Sequence, residues 1–259
     1  MAPPVAEDLV RRTLSRRLFL STSAGILVTG AACPRSLFSA QEEGAPALPD
    51  HILLGCSDLD RGIDFVEKRT GVRAAFGGVH PGRGTRNALL SLGERTRKEP
   101  NPRRYLEIIA PDPEQSGAPD HYGLLKLTEP RLVGWAAHPG DLLQFAAGLR
   151  NRDIAFDGPH PGSRKRSDGR LLQWKTLNLK EDRGGLLPFF IEWSADSSHP
   201  SIDAPRGCHL VRFELLTPDP EELRSAEAAM GLGVEIAKSE KAQLRATISC
   251  RGVELVLTS

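Results

Sequence analysis

The chain has 259 residues, with 34 Lys and Arg against 33 Asp and Glu and a formal net charge of +1. So even a balance gives no electrostatic case for nucleic acid or an anionic membrane surface as partner. The length is enough to bury a proper core in one compact body with a small appended module.

At the N-terminus, Ser15, Arg16, Arg17, Leu18, Phe19 and Leu20 stand at the head of a modest apolar run that extends to Ala32. Paired arginines followed by Leu and Phe match a twin-arginine export signal, an address read by a receptor. The run is too short, and too interrupted by Ser, Thr and Gly, for a membrane span, so no transmembrane anchor is expected. Cys33 is a weak candidate for lipid attachment, because Gly30 stands where Leu is usual and Pro34 follows. Residues 1–48 are read as signal peptide and linker, and the mature protein as periplasmic or secreted.

From residue 49 onward one pattern recurs three times: an apolar strand, an Asp suited to cap a helix, an amphipathic helix, and a later strand carrying one Glu. In the first copy Asp58 caps a helix with Leu59, Ile63 and Val66 on one face, Gly71 ends it, and the acidic strand centres on Glu107. In the second, Asp141 caps a helix bearing Leu142, Phe145, Ala146 and Leu149, and the acidic strand carries Glu192. In the third, Asp219 caps, Pro220 takes the first helical position, Leu223, Ala226 and Met230 form the stripe, and Glu254 lies on the last strand. Two more strands fit between each helix and its acidic strand, so each copy reads as a βαβββ unit. The predicted class is α+β, with units at 49–112, 131–195 and, in trimmed form, 205–259.

These residues resemble the vicinal oxygen chelate superfamily, in its glyoxalase-like branch. The resemblance rests on Asp50-His51 with Asp58-Leu59 downstream, the segment from His80 to Asn87, the strand around Glu107, Ser163-Arg164 with Asp168-Gly169, and the run from Leu187 to Trp193 followed by His199-Pro200. It implies that units one and two, within a glyoxalase-like domain of residues 49–200, pair into a half-open barrel around a metal or ligand. It also implies a His from the first strand and a Glu from the last strand of each unit as ligands.

Strand alternation gives the chemistry its geometry. If Ile52 and Leu54 face the helix, His51 faces the concave side, and by the same parity so do Tyr105, Glu107, Phe190 and Glu192. One imidazole and two carboxylates, His51, Glu107 and Glu192, suit a divalent ion such as Zn²⁺, Mn²⁺, Fe²⁺ or Ni²⁺. The second unit departs from the family pattern: Gly134 falls where its His belongs, and Arg212 takes that place in the third. A three-ligand metal site and a metal-free cavity therefore both follow from the sequence.

The Gly-punctuated segment from His80 to Asn87 supplies His80 as proton carrier, with Arg83, Thr85 and Asn87 as substrate contacts. Arg164 reads either as a clamp for a substrate carboxylate or as an ordinary hairpin residue. Tyr105, Trp135 and Phe190 would line an apolar pocket for a small molecule. A lyase or isomerase acting on a small oxygen-chelating substrate is the first reading, and a non-catalytic small-molecule binder the second. Cys56 reads as a buried inert thiol, while Cys208 and Cys250 can pair in an oxidising compartment. An odd number of units leaves the third without a mate, which suggests a homodimer.

Overall fold

The computed structural model describes residues 49–93, 103–115, 117–166 and 168–259. The export motif at Arg16 and Arg17, and Cys33, lie outside the described residues. Three consecutive βαβββ units follow one another. The first is β1 (Pro49–Gly55), α1 (Leu59–Thr70), β2 (Ala75–His80), β3 (Thr85–Ser91) and β4 (Tyr105–Pro111). The second is β5 (Arg131–Ala137), α2 (Leu142–Arg150), β6 (Phe156–Lys165), β7 (Leu171–Leu179) and β8 (Phe189–Trp193). The third is β9 (Cys208–Thr217), α3 (Pro220–Ala229), β10 (Glu235–Lys238), β11 (Gln243–Cys250) and β12 (Val253–Thr258).

All three caps form as the sequence implies. The Asp58 carboxylate accepts from the Arg61 N–H, Asp141 from Leu143 and Gln144, and Asp219 from Glu222. Each satisfies donors that the first helical turn leaves open. Gly71 ends α1 with φ of 68°, the left-handed conformation that glycine adopts without a Cβ clash.

Units one and two join edge to edge into one eight-stranded sheet, in the order β2-β3-β4-β1-β5-β8-β7-β6. The joint is the antiparallel pair β1 and β5, and in each unit the first strand also runs parallel to the last. The sheet curls until its outer strands β2 and β6 touch. Helices α1 and α2 cover the convex face, where Ile52, Leu54, Leu106, Ile108 and Phe190 enter the main core with the helical stripes. Gly62 lets α1 lie close to the sheet, since a Cβ there would stand 2.5 Å from Cys56 Sγ and 2.6 Å from Ile108 Cγ2. Burial, and then the charge of Asp58, push the Cys56 thiol up to about 12, as an inert core thiol requires.

The third unit repeats the element order but not the strand order. Its sheet runs β10-β9-β11-β12, with β9 set between a parallel and an antiparallel neighbour. It is therefore not a third barrel half. Its inner face packs on its own chain: β12 touches α1 and β5, and Phe213 meets the Trp135 ring at 5.2 Å between centroids. With that face covered, an unmated third unit no longer calls for a two-fold partner. Cys208 and Cys250, opposite one another on β9 and β11, form a disulfide. Glu254 is exposed, and Arg212 pairs instead with Glu235 and Glu214.

The two connecting segments close the concave side. Between β4 and β5, a 3-10 turn at Leu124–Lys126 presses Leu124 and Leu127, with Tyr122, onto Leu53, Ile109 and Phe189. After β8, the segment through Pro200–Ile202 brings Ala204 against Leu89, Tyr105 and Trp193, and the Ser91 N–H donates to the Pro205 carbonyl at 2.9 Å. Along β4, alternation then sets Glu107 between Tyr105 at one apolar plug and Ile109 at the other. Among the described residues no helix is long and apolar enough to cross a membrane.

Candidate functional site

Glu107 is the hub of a buried polar cluster on the concave face. Its Oε1 accepts from the Asn87 amide nitrogen at 2.6 Å and lies 3.7 Å from His80 Nε2, while its Oε2 lies 3.4 Å from His51 Nε2. The strands deliver these groups by register, because β3 pairs with β4 and β4 with β1 so that Asn87, Glu107 and His51 share one face. Asn87 Nδ2 is also 3.2 Å from His80 Nε2, and His80 Nδ1 is 2.8 Å from Thr85 Oγ1. From the far edge, β6 sends Arg164 across the closed seam to donate to Asn87 Oδ1 at 2.7 Å. That bond fixes the amide orientation: the oxygen faces the guanidinium, and both amide hydrogens face Glu107 and His80.

Room for Arg164 comes from two glycines on β2. A Cβ at Gly77 would fall 2.3 Å from Arg164 Nη1 and 2.4 Å from Asn87 Oδ1, and one at Gly78 would fall 2.8 Å from Arg164 Cδ. Arg164 is 3% exposed. Arg83 is exposed on the turn beyond β2, where its charge helps lower the His80 pKa and its backbone N–H donates to the His80 carbonyl at 3.1 Å.

Behind His51 stands a second carboxylate. Asp50 Oδ1 is 2.7 Å from His51 Nδ1, and Asp50 Oδ2 accepts from Trp193 Nε1 at 3.2 Å and lies 3.1 Å from His199 Nε2. Adjacent strand residues ordinarily face opposite ways. Here the β1–β5 register slips between Pro49 and His51, a bulge at Asp50 that turns its carboxylate to the side of its neighbour. His199, at the start of the 3-10 turn, is 2.8 Å from Ser201 Oγ through Nδ1. The His51 ring stacks on Tyr105 at 4.5 Å. Asp50 and His199 gained no role from sequence alone. The available signals were an Asp directly before the strand His and a His-Pro step just after the second unit.

The electrostatics sort these groups into fixed charges and a neutral base. Burial alone would raise Asp50, but hydrogen bonds to His199 and His51 outweigh it and hold the carboxyl far below the usual range. Burial likewise opposes ionisation of Glu107, and the charges of His51 and His80, the Asn87 hydrogen bond and Arg164 reverse the balance and lower its pKa. Burial lowers His80 against the pull of Glu107, with Arg164 and Arg83 adding to the effect. Burial, then the Glu107 and Asp50 charges, push the Tyr105 phenol well up, so it remains protonated.

Two sequence expectations are corrected. Glu192 does not face the concave side: its Oε2 accepts from the Leu142 N–H at 2.7 Å, serving the N-terminus of α2. Its neighbour Phe190 is fully buried under α2, 4.2 Å from the Phe145 ring. The β8 parity is thus the reverse of that expected, and Phe189 and Trp193 are the inward residues. Trp135 is also on the convex side, packed in the main core, where its Nε1 donates to the Leu186 carbonyl at 2.8 Å, so it does not face the concave side.

These corrections decide the fit of a metal. Of the expected donors only His51 Nε2 and Glu107 meet. Gly134 brings no donor from β5, and Phe189 stands 5.5 Å from the His51 ring on the β8 side. The gap between Glu107 and His80 holds the hydrogens of the Asn87 amide rather than a lone pair. Among the described residues no three His, Cys, Asp or Glu groups gather to hold an ion. Two ligands beside a guanidinium make a poor cage for a divalent ion, and the residues do not fit one.

A pocket of about 280 Å³ adjoins the cluster at Thr85, between the β2–β3 turn and the segment after β4. Gly84, Asp112, Gln115 and Leu124 line it as well. Gln115 ties this wall to the turn, accepting from the Gly82 N–H at 2.7 Å and donating to the His80 carbonyl at 3.2 Å.

Residues 50–231 match the family model of the glyoxalase-like domain, and the chain belongs to that family. A hypothetical protein from Staphylococcus aureus aligns with 14% identity over 80% of this chain and 97% of its own, at a TM-score of 0.59. A single-substitution variant of Streptomyces coelicolor methylmalonyl-CoA epimerase, in complex with 2-nitronate-propionyl-CoA, aligns over 56% of this chain and 96% of its own, at 23% identity and a TM-score of 0.42. A methylmalonyl-CoA epimerase in complex with methylmalonyl-CoA and NH4+ covers 59% of this chain and 99% of its own, at 23% identity and a TM-score of 0.44. No curated protein matches the sequence.

Proposed function

We propose that this chain is an exported glyoxalase-like enzyme of the lyase or isomerase type, which moves a proton on a small oxygen-bearing substrate without a metal. The observation that carries this reading is the buried pair of a neutral imidazole and an ionised carboxylate, His80 and Glu107, joined by Asn87 and backed by Arg164. Environments that drive neighbouring groups to opposite protonation states mark acid–base assignments.

In the proposed step, His80 Nε2 gives up its 3.2 Å contact with Asn87 and takes a proton from the carbon next to a substrate carbonyl. The C–H bond breaks, an N–H bond forms, and the electron pair moves to the carbonyl oxygen. Arg164 stabilises the resulting enolate oxygen, and Glu107 stabilises the imidazolium until the proton returns at the new position. His51, held by Asp50, fixes the far side of Glu107. The pocket lined by Thr85, whose hydroxyl is 2.8 Å from His80 Nδ1, is the place proposed for the substrate.

Isotope exchange tests this directly. The folded wild-type chain is expected to catalyse deuterium uptake at the α-carbon of small oxo acids and dicarboxylates in D2O, and His80→Gln to lower the rate by about 10²–10⁴. Equal rates in both proteins would remove His80 as proton carrier. A non-catalytic binder is the second reading, favoured by the near-complete burial of His51, Glu107 and Arg164; exchange no faster than buffer would select it.

Export is part of the same proposal. The disulfide between Cys208 and Cys250 suits an oxidising compartment such as the periplasm. Changing Arg16 and Arg17 to Lys is expected to leave precursor in the cytoplasm, and undisturbed export of that variant would exclude the twin-arginine route.

A further inference from the structure

Apart from the pocket at Thr85, a cavity of about 440 Å³ opens among the β6–β7 turn, the segment entering β4 and the segment after β8. That volume lies within the range of small-molecule sites. Its wall carries three guanidiniums, Arg103, Arg166 and Arg170, against one acid, Asp196. The buried His199 forms its floor, and His199 Nε2 is 3.1 Å from Asp50 Oδ2, so this cavity lies at the opposite end of the Asp50–His51–Glu107 chain from the pocket at Thr85.

Local structure brings the arginines together. Arg166 and Arg170 close the β6–β7 turn, where the Arg166 N–H donates to the Arg170 carbonyl at 2.9 Å and Gly169 takes a left-handed φ of 85°. Their side chains share two carboxylates. Asp168 Oδ2 lies 2.7 Å from Arg170 Nη2 and 3.3 Å from Arg166 Nε, and Asp203 Oδ2 lies 2.8 Å from Arg166 Nη1 and 3.5 Å from Arg170 Nη2. This bracing holds the two heads side by side, yet among the described residues Arg166 Nη2 and Arg170 Nη1 have no acceptor. Arg103, exposed just ahead of β4, has neither a carboxylate nor any other acceptor among the described residues.

A carboxylate offers two coplanar oxygens, the match of one guanidinium fork. Forks arriving from separate segments need acceptors that point apart, as the three terminal oxygens of a phosphate monoester do, with a charge of about −1.5 to −2. The same wall is apolar beside them: Leu171 is 53% exposed and Ile202 44%, surface that a compact apolar group next to the phosphate would cover.

We infer that the cavity walled by Arg103, Arg166 and Arg170 is a second ligand site, which takes a small phosphate monoester with a short apolar body. Neither a metal nor proton transfer at His80 enters into it.

Calorimetric titration of the folded protein with phenyl phosphate, inorganic phosphate and benzoate provides the test. Phenyl phosphate is expected to bind at least about tenfold more tightly than either, since inorganic phosphate lacks the apolar body and benzoate lacks the third oxygen and the second charge. Arg103→Gln should weaken both phosphates by about tenfold, and Leu171→Asn should weaken phenyl phosphate alone. Both side chains are exposed, so neither change threatens the fold. Lys241→Gln, which removes an exposed positive charge from the third unit outside the lining, should alter neither affinity. Phenyl phosphate binding that is absent from the wild type, that benzoate equals, that Arg103→Gln lowers no more than Lys241→Gln does, or that Leu171→Asn leaves unchanged would overturn the inference.

Discussion

Glu107→Gln is expected to cost about 3–5 kcal/mol of folding stability, because removing one partner of a buried charged network leaves the others uncompensated. The substitution preserves shape, so the loss reports charge rather than packing. Arg164 and any protonated imidazole of His51 or His80 then lack their buried counter-ion, although the Asn87 amide still finds an oxygen acceptor. Urea denaturation at neutral pH checks the magnitude, and isotope exchange by this variant should fall to the buffer rate.

The pH dependence has a definite sign. The pKa of Glu107 is lower in the folded chain than in the unfolded one. Its stabilisation is therefore complete above the unfolded value of about 4.3 and is lost as pH falls through the folded value. Asp50 behaves likewise below about 3.9. The depressed pKa of His80 adds a loss that begins below about 6.5, where the unfolded imidazole takes up a proton and the folded one resists. The wild type should thus lose stability on acidification, and Glu107→Gln should flatten the portion below about pH 4.3. A variant with wild-type urea midpoint and acid profile would show that Glu107 is not the hub.

The paired substitution Cys208→Ser and Cys250→Ser is expected to destabilise the chain by about 4 kcal/mol, since the bridge spans a separation of 42 residues and removes that loop's freedom from the unfolded state. For a domain of this size the midpoint should drop on the order of 10 °C. The third sheet covers Trp135 and touches α1 and β5, so its loosening should expose the convex core, and heat-induced aggregation is the expected form of failure. Thiol counting under denaturing, non-reducing conditions on the chain from residue 49 should find Cys56 alone free. Three reactive thiols, or an unchanged melting midpoint in the double variant, would contradict the bridge's role.

The repeats, the caps and the first-unit parity were legible because each has a local cause. An Asp before an amphipathic stripe caps a helix wherever it occurs, and His51 and Glu107 lie on strands whose buried face is unambiguously aliphatic. The second-unit acidic strand is different. The run from Phe189 to Trp193 carries an aromatic side chain at either parity, so alternation admits two solutions, and the choice fell to Phe145 and the N-terminus of α2, which sequence does not place. Asp50 was hidden by a bulge, which breaks alternation for tertiary reasons. Arg164 is adjacent to Asn87 only because β2 and β6, at opposite ends of the strand order, meet when the sheet curls. The third unit's strand order was likewise invisible, since the same sequence of elements admits more than one pairing.

Whether a guanidinium or a metal ion serves the site is tested most directly by elemental analysis of the folded protein, purified without chelator from cells grown with Zn²⁺, Mn²⁺, Fe²⁺ and Ni²⁺ supplied. Of the three expected donors only His51 and Glu107 meet, with Arg164 nearby and the Asn87 amide against His80 Nε2, so the expected result is metal far below one ion per chain and unaltered by Glu192→Ala. One divalent ion per chain, lost on changing His51 or Glu107, would contradict it.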